Sequence, residues 1–185
     1  MAALRQQTNY NNEEEFGGID DGSLHQSLYF NRPFTLDSVT VRFDSTTVDP
    51  VQDLKVRCEV RAAVGPDNLV DIREDPIDES AWYDDHSIPP TEFTFTMNSL
   101  VFDAGFYWFS FVVDTIDDSS FLLAVQKTEG GTFLGKFIKI HNEVGVYRQD
   151  TSLMIVSAGS WNEPQGRSDV YEHNEFVATS IQDRE

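Results

Sequence analysis

Between Leu54 and Ala62 the chain alternates without a break: Leu54, Val56, Cys58, Val60 and Ala62 fall on one side, Lys55, Arg57, Glu59 and Arg61 on the other. A period of two is the repeat of a β-strand, whereas the apolar positions of a helix recur every three to four residues. The segment therefore reads as a strand, and its charged side predicts a sheet with one face to water.

The same period governs most of the chain. Leu36, Val39, Val41 and Phe43 read as a strand whose phase slips near Asp37 and Ser38, the mark of a β-bulge. Phe93, Phe95 and Met97 resume the alternation after an irregular stretch from Asp75 to Pro90, which carries Pro76, Pro89, Trp82, Tyr83 and His86 and reads as a long loop. Phe106 to Val113 is apolar on both sides apart from Ser110, which predicts a central strand buried on both faces, or an aromatic face turned to a partner. Shorter runs lie at 69–72, 121–125, 133–140, 144–147 and 153–156, separated by turn residues such as Gly65 to Asn68 and Gly130 with Gly131. Nowhere do apolar residues hold a helical spacing over three turns. About eight to ten short strands and no helix predict an all-β sandwich or barrel. The length of 185 residues suits one domain, and 39% hydrophobic residues are enough to give it a core without disulfides or metal. The expected organisation is a polar N-terminal arm over 1–22, the β-sandwich over 23–159, and a polar C-terminal extension over 160–185 with one edge strand.

Charge then restricts the partners. With 32 acidic against 13 basic residues the formal net charge is −19, which leaves no basic footprint for free nucleic acid. Cys58, the only cysteine, sits on the apolar side of the 54–62 strand and reads as a small buried hydrophobe. Met1 to Asn12 contains no apolar stretch of the ~7–15 residues a signal peptide needs, and no run is long enough to span a bilayer. The sequence thus predicts synthesis in the cytoplasm, no membrane insertion, and export only as part of a larger particle.

Four segments, in order, resemble a known group. They are "QSLYFNRPFTLDSVTVRF" at 26–43, "DLKVRCEVRA" at 53–62, "TEFTFTMNSLVFDAGFYWFSFVV" at 91–113 and "TSLMIVSAGS" at 151–160. This order is similar to the jelly-roll modules of bacterial and archaeal surface proteins and of virion fibre and decoration proteins, with Phe102 to Trp108 standing on their Leu-x-x-Gly-x-Tyr-Trp-like turn. The resemblance implies a single jelly-roll-like antiparallel β-sandwich with extended polar termini. It also implies a role at a surface or in a particle. Acidity combined with scarce lysine, four against nine arginines, is similar to the habit of haloarchaeal proteins and points the comparison to a haloarchaeal virus.

No catalytic motif accompanies this pattern. The histidines, His25, His86, His141 and His173, are scattered without metal-ligand spacing, and no nucleophile elbow, P-loop or dinucleotide fingerprint occurs. Asp84, Asp85 and His86 form the tightest acid and imidazole cluster, in a stretch read as a solvated loop. Structural calcium is the one ion the composition favours, at Asp20 with Asp21, Asp84 with Asp85, or Asp117 with Asp118; no other cofactor is expected. Trp82, Tyr83 and Trp161, read as loop aromatics, are the candidates for stacking on a cell-surface glycan or packing on a neighbouring subunit, whereas Trp108 reads as core. The function expected is therefore a non-enzymatic virion structural protein, a capsid turret or decoration protein or a tail or fibre component, forming homo-oligomers and binding other virion proteins. The alternative is a glycan-binding module for host attachment.

Overall fold

The computed structural model describes residues 2–7, 12–16, 23–44, 54–63, 75–85, 92–114, 123–129, 137–141, 144–148, 151–153 and 155–162. Among these residues the chain forms only strands: β1 (Ala2–Gln7), β2 (Asn12–Phe16), β3 (Ser23–Phe30), β4 (Phe34–Asp44), β5 (Leu54–Ala63), β6 (Asp78–Glu79), β7 (Tyr83–Asp85), β8 (Glu92–Thr96), β9 (Val101–Phe102), β10 (Gly105–Asp114), β11 (Leu123–Glu129), β12 (Phe137–His141), β13 (Val144–Arg148), β14 (Thr151–Leu153) and β15 (Ile155–Trp161). One sheet runs β1-β15-β4-β11-β14, with β2 on β11 and with β8 and β9 on β4. The other runs β13-β12-β3-β10-β5-β6, with β7 also on β5. Every pairing is antiparallel.

The protein is an all-β sandwich, as the period-two pattern predicts. From β3 onward the chain passes back and forth between the sheets: β3, β5, β10 and β12 lie in the second, β4, β8, β11 and β14 in the first. The core is what the two inner faces bury together: Leu24 and Phe30 of β3, Phe34, Leu36, Val39, Val41 and Phe43 of β4, Val56, Cys58 and Val60 of β5, and Phe109 and Phe111 of β10. Its densest part is aromatic. Phe30 stacks on Phe34 with ring centroids 3.9 Å apart, Phe34 stacks on Phe102 at 5.1 Å, and Tyr107 meets both Phe34 and Phe102 edge-on. Offset stacks and edge contacts of this kind add about 0.5–1.5 kcal/mol per pair beyond the area they bury.

The phase slip in β4 is a bulge. Across β15, Ser38 pairs with Ala158 and Leu36 with Gly159, so Asp37 has no partner there. The extra residue restores the register: Phe34 and Leu36 before it and Val39, Val41 and Phe43 after it all reach the same core. It also draws the two backbones together, and a Cβ on Gly159 would stand 2.0 Å from the carbonyl oxygen of Thr35. Only glycine fits there.

Three expectations meet a different arrangement. The segments 2–7 and 12–16, expected within a polar arm, are strands of the first sheet: β1 lies along β15 with Leu4 buried, and β2 lies along β11. The stretch 75–85, expected as loop, supplies two short edge strands to β5. The charged side of β5 is not a wet face, for Glu59 is buried and Arg57 and Arg61 are only partly exposed. The clean alternation of buried and exposed residues falls instead on β8, where Glu92, Thr94 and Thr96 are exposed and Phe95 is buried. The strand read at 69–72 lies outside the described residues.

Candidate functional site

The face of the second sheet turned away from the core carries the first polar cluster. Strand alternation puts Phe109 and Phe111 inward, and so Trp108 and Ser110 outward, yet both are fully buried. Ser110 pairs across the sheet with His25 on one side and Glu59 on the other, and Trp108 pairs with Ser27 and Arg61. The His25 ring is held at both nitrogens: Nδ1 is 2.7 Å from Ser110 Oγ and Nε2 is 2.7 Å from Ser23 Oγ. Burial, with the Arg61 charge in second place, lowers its pKa from 6.5 to about 3, so the ring is neutral, one nitrogen donating and the other accepting.

Beside it, Glu59 accepts from two guanidinium groups: Arg57 Nε donates to Oε1 at 2.8 Å and Arg61 Nη2 to Oε2. Arg57 also reaches Glu79 at 3.0 Å and lies over the Trp82 ring, 4.4 Å from its centroid. A buried carboxylate costs several kcal/mol unless its oxygens are paired, and this ladder pairs both.

The arrangement has a serine beside a histidine but not the chemistry of a catalytic triad. In a triad the second imidazole nitrogen is oriented by a carboxylate and the nucleophile opens to substrate. Here that nitrogen goes to another serine, the carboxylate of Glu59 across Ser110 is taken by arginines, and His25 is 3% exposed. Arg61 Nε and Trp108 Nε1 are buried on this face without a hydrogen-bond partner among the described residues.

The second cluster lies where an edge of each sheet faces the other. β8 and β9 form one interrupted edge strand on β4, with Thr96 opposite Ser38 and Val101 opposite Thr35. Residues 97–100 loop out between them, opposite the Asp37 bulge. Met97 N–H donates to the Asp37 carbonyl at 2.9 Å, Leu36 N–H to the Leu100 carbonyl at 3.2 Å, and Ser99 Oγ to Asp37 Oδ1 at 2.7 Å. Ser99 adopts a left-handed φ of 55°, which costs a residue with a Cβ about 1 kcal/mol or more and persists because these bonds fix it. Asn98 then crosses to the other sheet and donates to Asp78 Oδ1 at 2.7 Å and to the Glu79 carbonyl at 3.0 Å. The loop thus clasps the two sheets. Outside the clasp stand Leu100 and Val101, 43% and 71% exposed, with Ile77 at 45% one residue before Asp78.

The three aromatics named as candidates for glycan or subunit contact lie apart. Trp82 precedes β7 and is 36% exposed, with Arg57 over one face of its ring. Tyr83 is in β7, paired with Val56, and packs edge-on against Phe93 at 4.8 Å. Trp161 is the last residue of β15 rather than a loop residue, lies 6.3 Å from Phe34, and carries Arg32 and Arg5 over its ring at 4.6 and 5.6 Å. Tyr83 sits beside the Val113 end of β10 and Trp161 beside its Tyr107 end, roughly 20 Å apart at the rise of a strand. Among the described residues no group of three or more His, Cys, Asp or Glu is placed to hold a metal ion. Asp84 and Asp85 belong to β7, opposite Lys55 and Leu54, while Asp20, Asp21, His86, Asp117 and Asp118 lie outside the described residues. No protein-family model matches this chain, and no curated protein matches it either.

Proposed function

We propose that this protein is a non-enzymatic structural subunit, and that its setting is a virus particle, as a capsid turret or decoration protein or as a tail or fibre component. The observation that carries the reading is the division between the two polar clusters. Groups capable of acid, base or nucleophilic work are buried and engaged: His25 and Ser110 bond to each other, and Glu59 is held by Arg57 and Arg61. What is offered outward is a fixed apolar projection on a sandwich edge, a feature that serves contact rather than turnover. An all-β sandwich with a −19 charge and no basic footprint also suits a particle component that packs against proteins rather than nucleic acid.

Sedimentation of the full chain at ~2 M salt, where a Debye length of ~3 Å removes most self-repulsion, tests the reading. A concentration-dependent oligomer is expected. A strict monomer at every concentration and salt would remove self-assembly from it. The exposed part of Trp82 supports one competing role, glycan binding. A glycan array giving a specific hit that disappears in Trp82→Ala would favour that role instead.

A further inference from the structure

We infer that the clasp joining the two sheet edges is a docking surface for an extended, basic segment of another protein in which apolar and cationic residues alternate. The inference rests on the reading of the chain as an assembly subunit and names the surface and the chemistry of the partner.

Three observations converge on this occupant. The apolar groups are held out by fixed structure: Leu100 and Val101 follow a left-handed Ser99 tied to Asp37, and Asn98 ties the same loop to Asp78 and Glu79. A loop fixed to both sheets loses little further entropy when something packs on it. Exposed acids flank the apolar groups along the chain. Asp75 is two residues before Ile77 and Asp103 two after Val101, while the carboxylates of Asp37 and the buried Asp78 and the carbonyl of Glu79 anchor the clasp itself. Among the described residues Arg57 reaches Glu79 and is also engaged by Glu59. Lastly, β8 and β9 pair with β4 on one side and with no other strand among the described residues. An edge strand can take an added strand through main-chain hydrogen bonds, and an added strand places alternate side chains toward the apolar groups and toward the acids. A second copy of this chain would bring the same acidic rim against itself, with −19 on each partner, so the charge selects a basic partner over self-pairing.

The test uses the full chain and a labelled peptide of about nine residues alternating lysine and valine, read by fluorescence anisotropy at ~0.05 M and ~0.5 M salt. Controls alternate lysine with serine and glutamate with valine. Saturable binding of the lysine–valine peptide is expected, at least about fivefold tighter than either control and weaker at the higher salt. The double variant Leu100→Ser with Val101→Ser, at exposed positions, is expected to keep the native melting curve and to lose at least about fivefold in affinity. Asp75→Asn with Asp103→Asn should flatten the salt dependence. Equal binding of the lysine–serine peptide, or no loss in the double variant, would assign the attraction to diffuse charge and overturn the inference. So would a dimer of the native chain that the double variant abolishes while the peptide fails to bind, since the occupant would then be a second copy. An oligomer that persists in the double variant, with no peptide binding, overturns this inference alone. A monomer that binds the peptide at the clasp leaves the inference standing while self-assembly falls.

Discussion

A histidine with both ring nitrogens in hydrogen bonds to serines has one comfortable protonation state. Protonating His25 would turn both nitrogens into donors, break one of the two bonds as it is now made, and leave a charge under the sheet beside Arg61. Its folded pKa, about 3, lies below the unfolded value of 6.5, so its neutral form contributes stability above pH 6.5 that is lost as pH falls toward 3. The full shift corresponds to at most about 5 kcal/mol. Carboxylates titrate in the same window, so the measurement is a difference: the fall in melting temperature between pH 6.5 and 4 should be steeper in the native protein than in His25→Asn. Equal slopes would show that the ring does not sense acid. Cys58 makes a complementary prediction. Burial first, then the charges of Glu59 and Asp78, push its thiol well above the usual cysteine range, so a thiol reagent at pH 8 should modify it only at the rate of unfolding. Prompt labelling of the native protein would contradict its place in the core. The sequence made Cys58 legible, because its strand alternates cleanly. His25 was not, since its buried partner Ser110 comes from another strand; the one hint was Ser110 itself, a lone hydroxyl in an apolar run that needed a buried polar neighbour.

At the scale of elements, legibility follows how much of a strand's character is local. β4, β5, β8 and β10 carry their own alternation or their own apolar run, and each lies within two residues of where the sequence places it. Even the bulge at Asp37 shows as a break of phase, because the residues on both sides must return to one core. By contrast β1, β6 and β7 are polar or very short and become strands only because β15 and β5 offer them an edge. No period within Asp78–Glu79 could announce that. The outer side of β5 misled for a related reason: Arg57, Glu59 and Arg61 look solvated one at a time and neutralise one another when aligned. The clasp was invisible too, since Asn98 and Asp78 are twenty residues apart and meet only when both edges are built. The bulge itself gives the element-scale prediction. Gly159→Ala would set a methyl group 2.0 Å from the Thr35 carbonyl oxygen, and β4 and β15 would have to separate along the ladder they share from Phe34 to Val41. A loss of about 3 kcal/mol is expected, seen as a melting temperature roughly 5–10 °C lower. Alanine at the exposed Ser160 next to it should change stability by less than about 0.5 kcal/mol.

The whole molecule sets a packed sandwich against its own charge. Opposite charges inside the fold are paired at short range, as in Arg57–Glu59–Arg61, and salt screens such partly buried pairs little. The excess of acids, 32 against 13, has no such partners and repels over the surface, where the Debye length falls from ~10 Å at 0.1 M to ~3 Å at 1 M. The two effects have opposite signs, and the second is larger because it sums over the net charge while the first involves a few protected contacts. Stability should therefore rise with salt. Thermal unfolding between ~0.1 M and ~2 M potassium chloride checks this, with most of the gain expected by ~0.5 M if repulsion alone is relieved, and a continued climb to 2 M if the surface is adapted to strong salt. The same screening removes the barrier to self-association, so the oligomer and the melting temperature should increase together. The clasp should behave oppositely, losing its basic partner as salt rises. A melting temperature flat across the whole range would mean that the acids are offset within the fold, and the haloarchaeal comparison would then lose its physical basis.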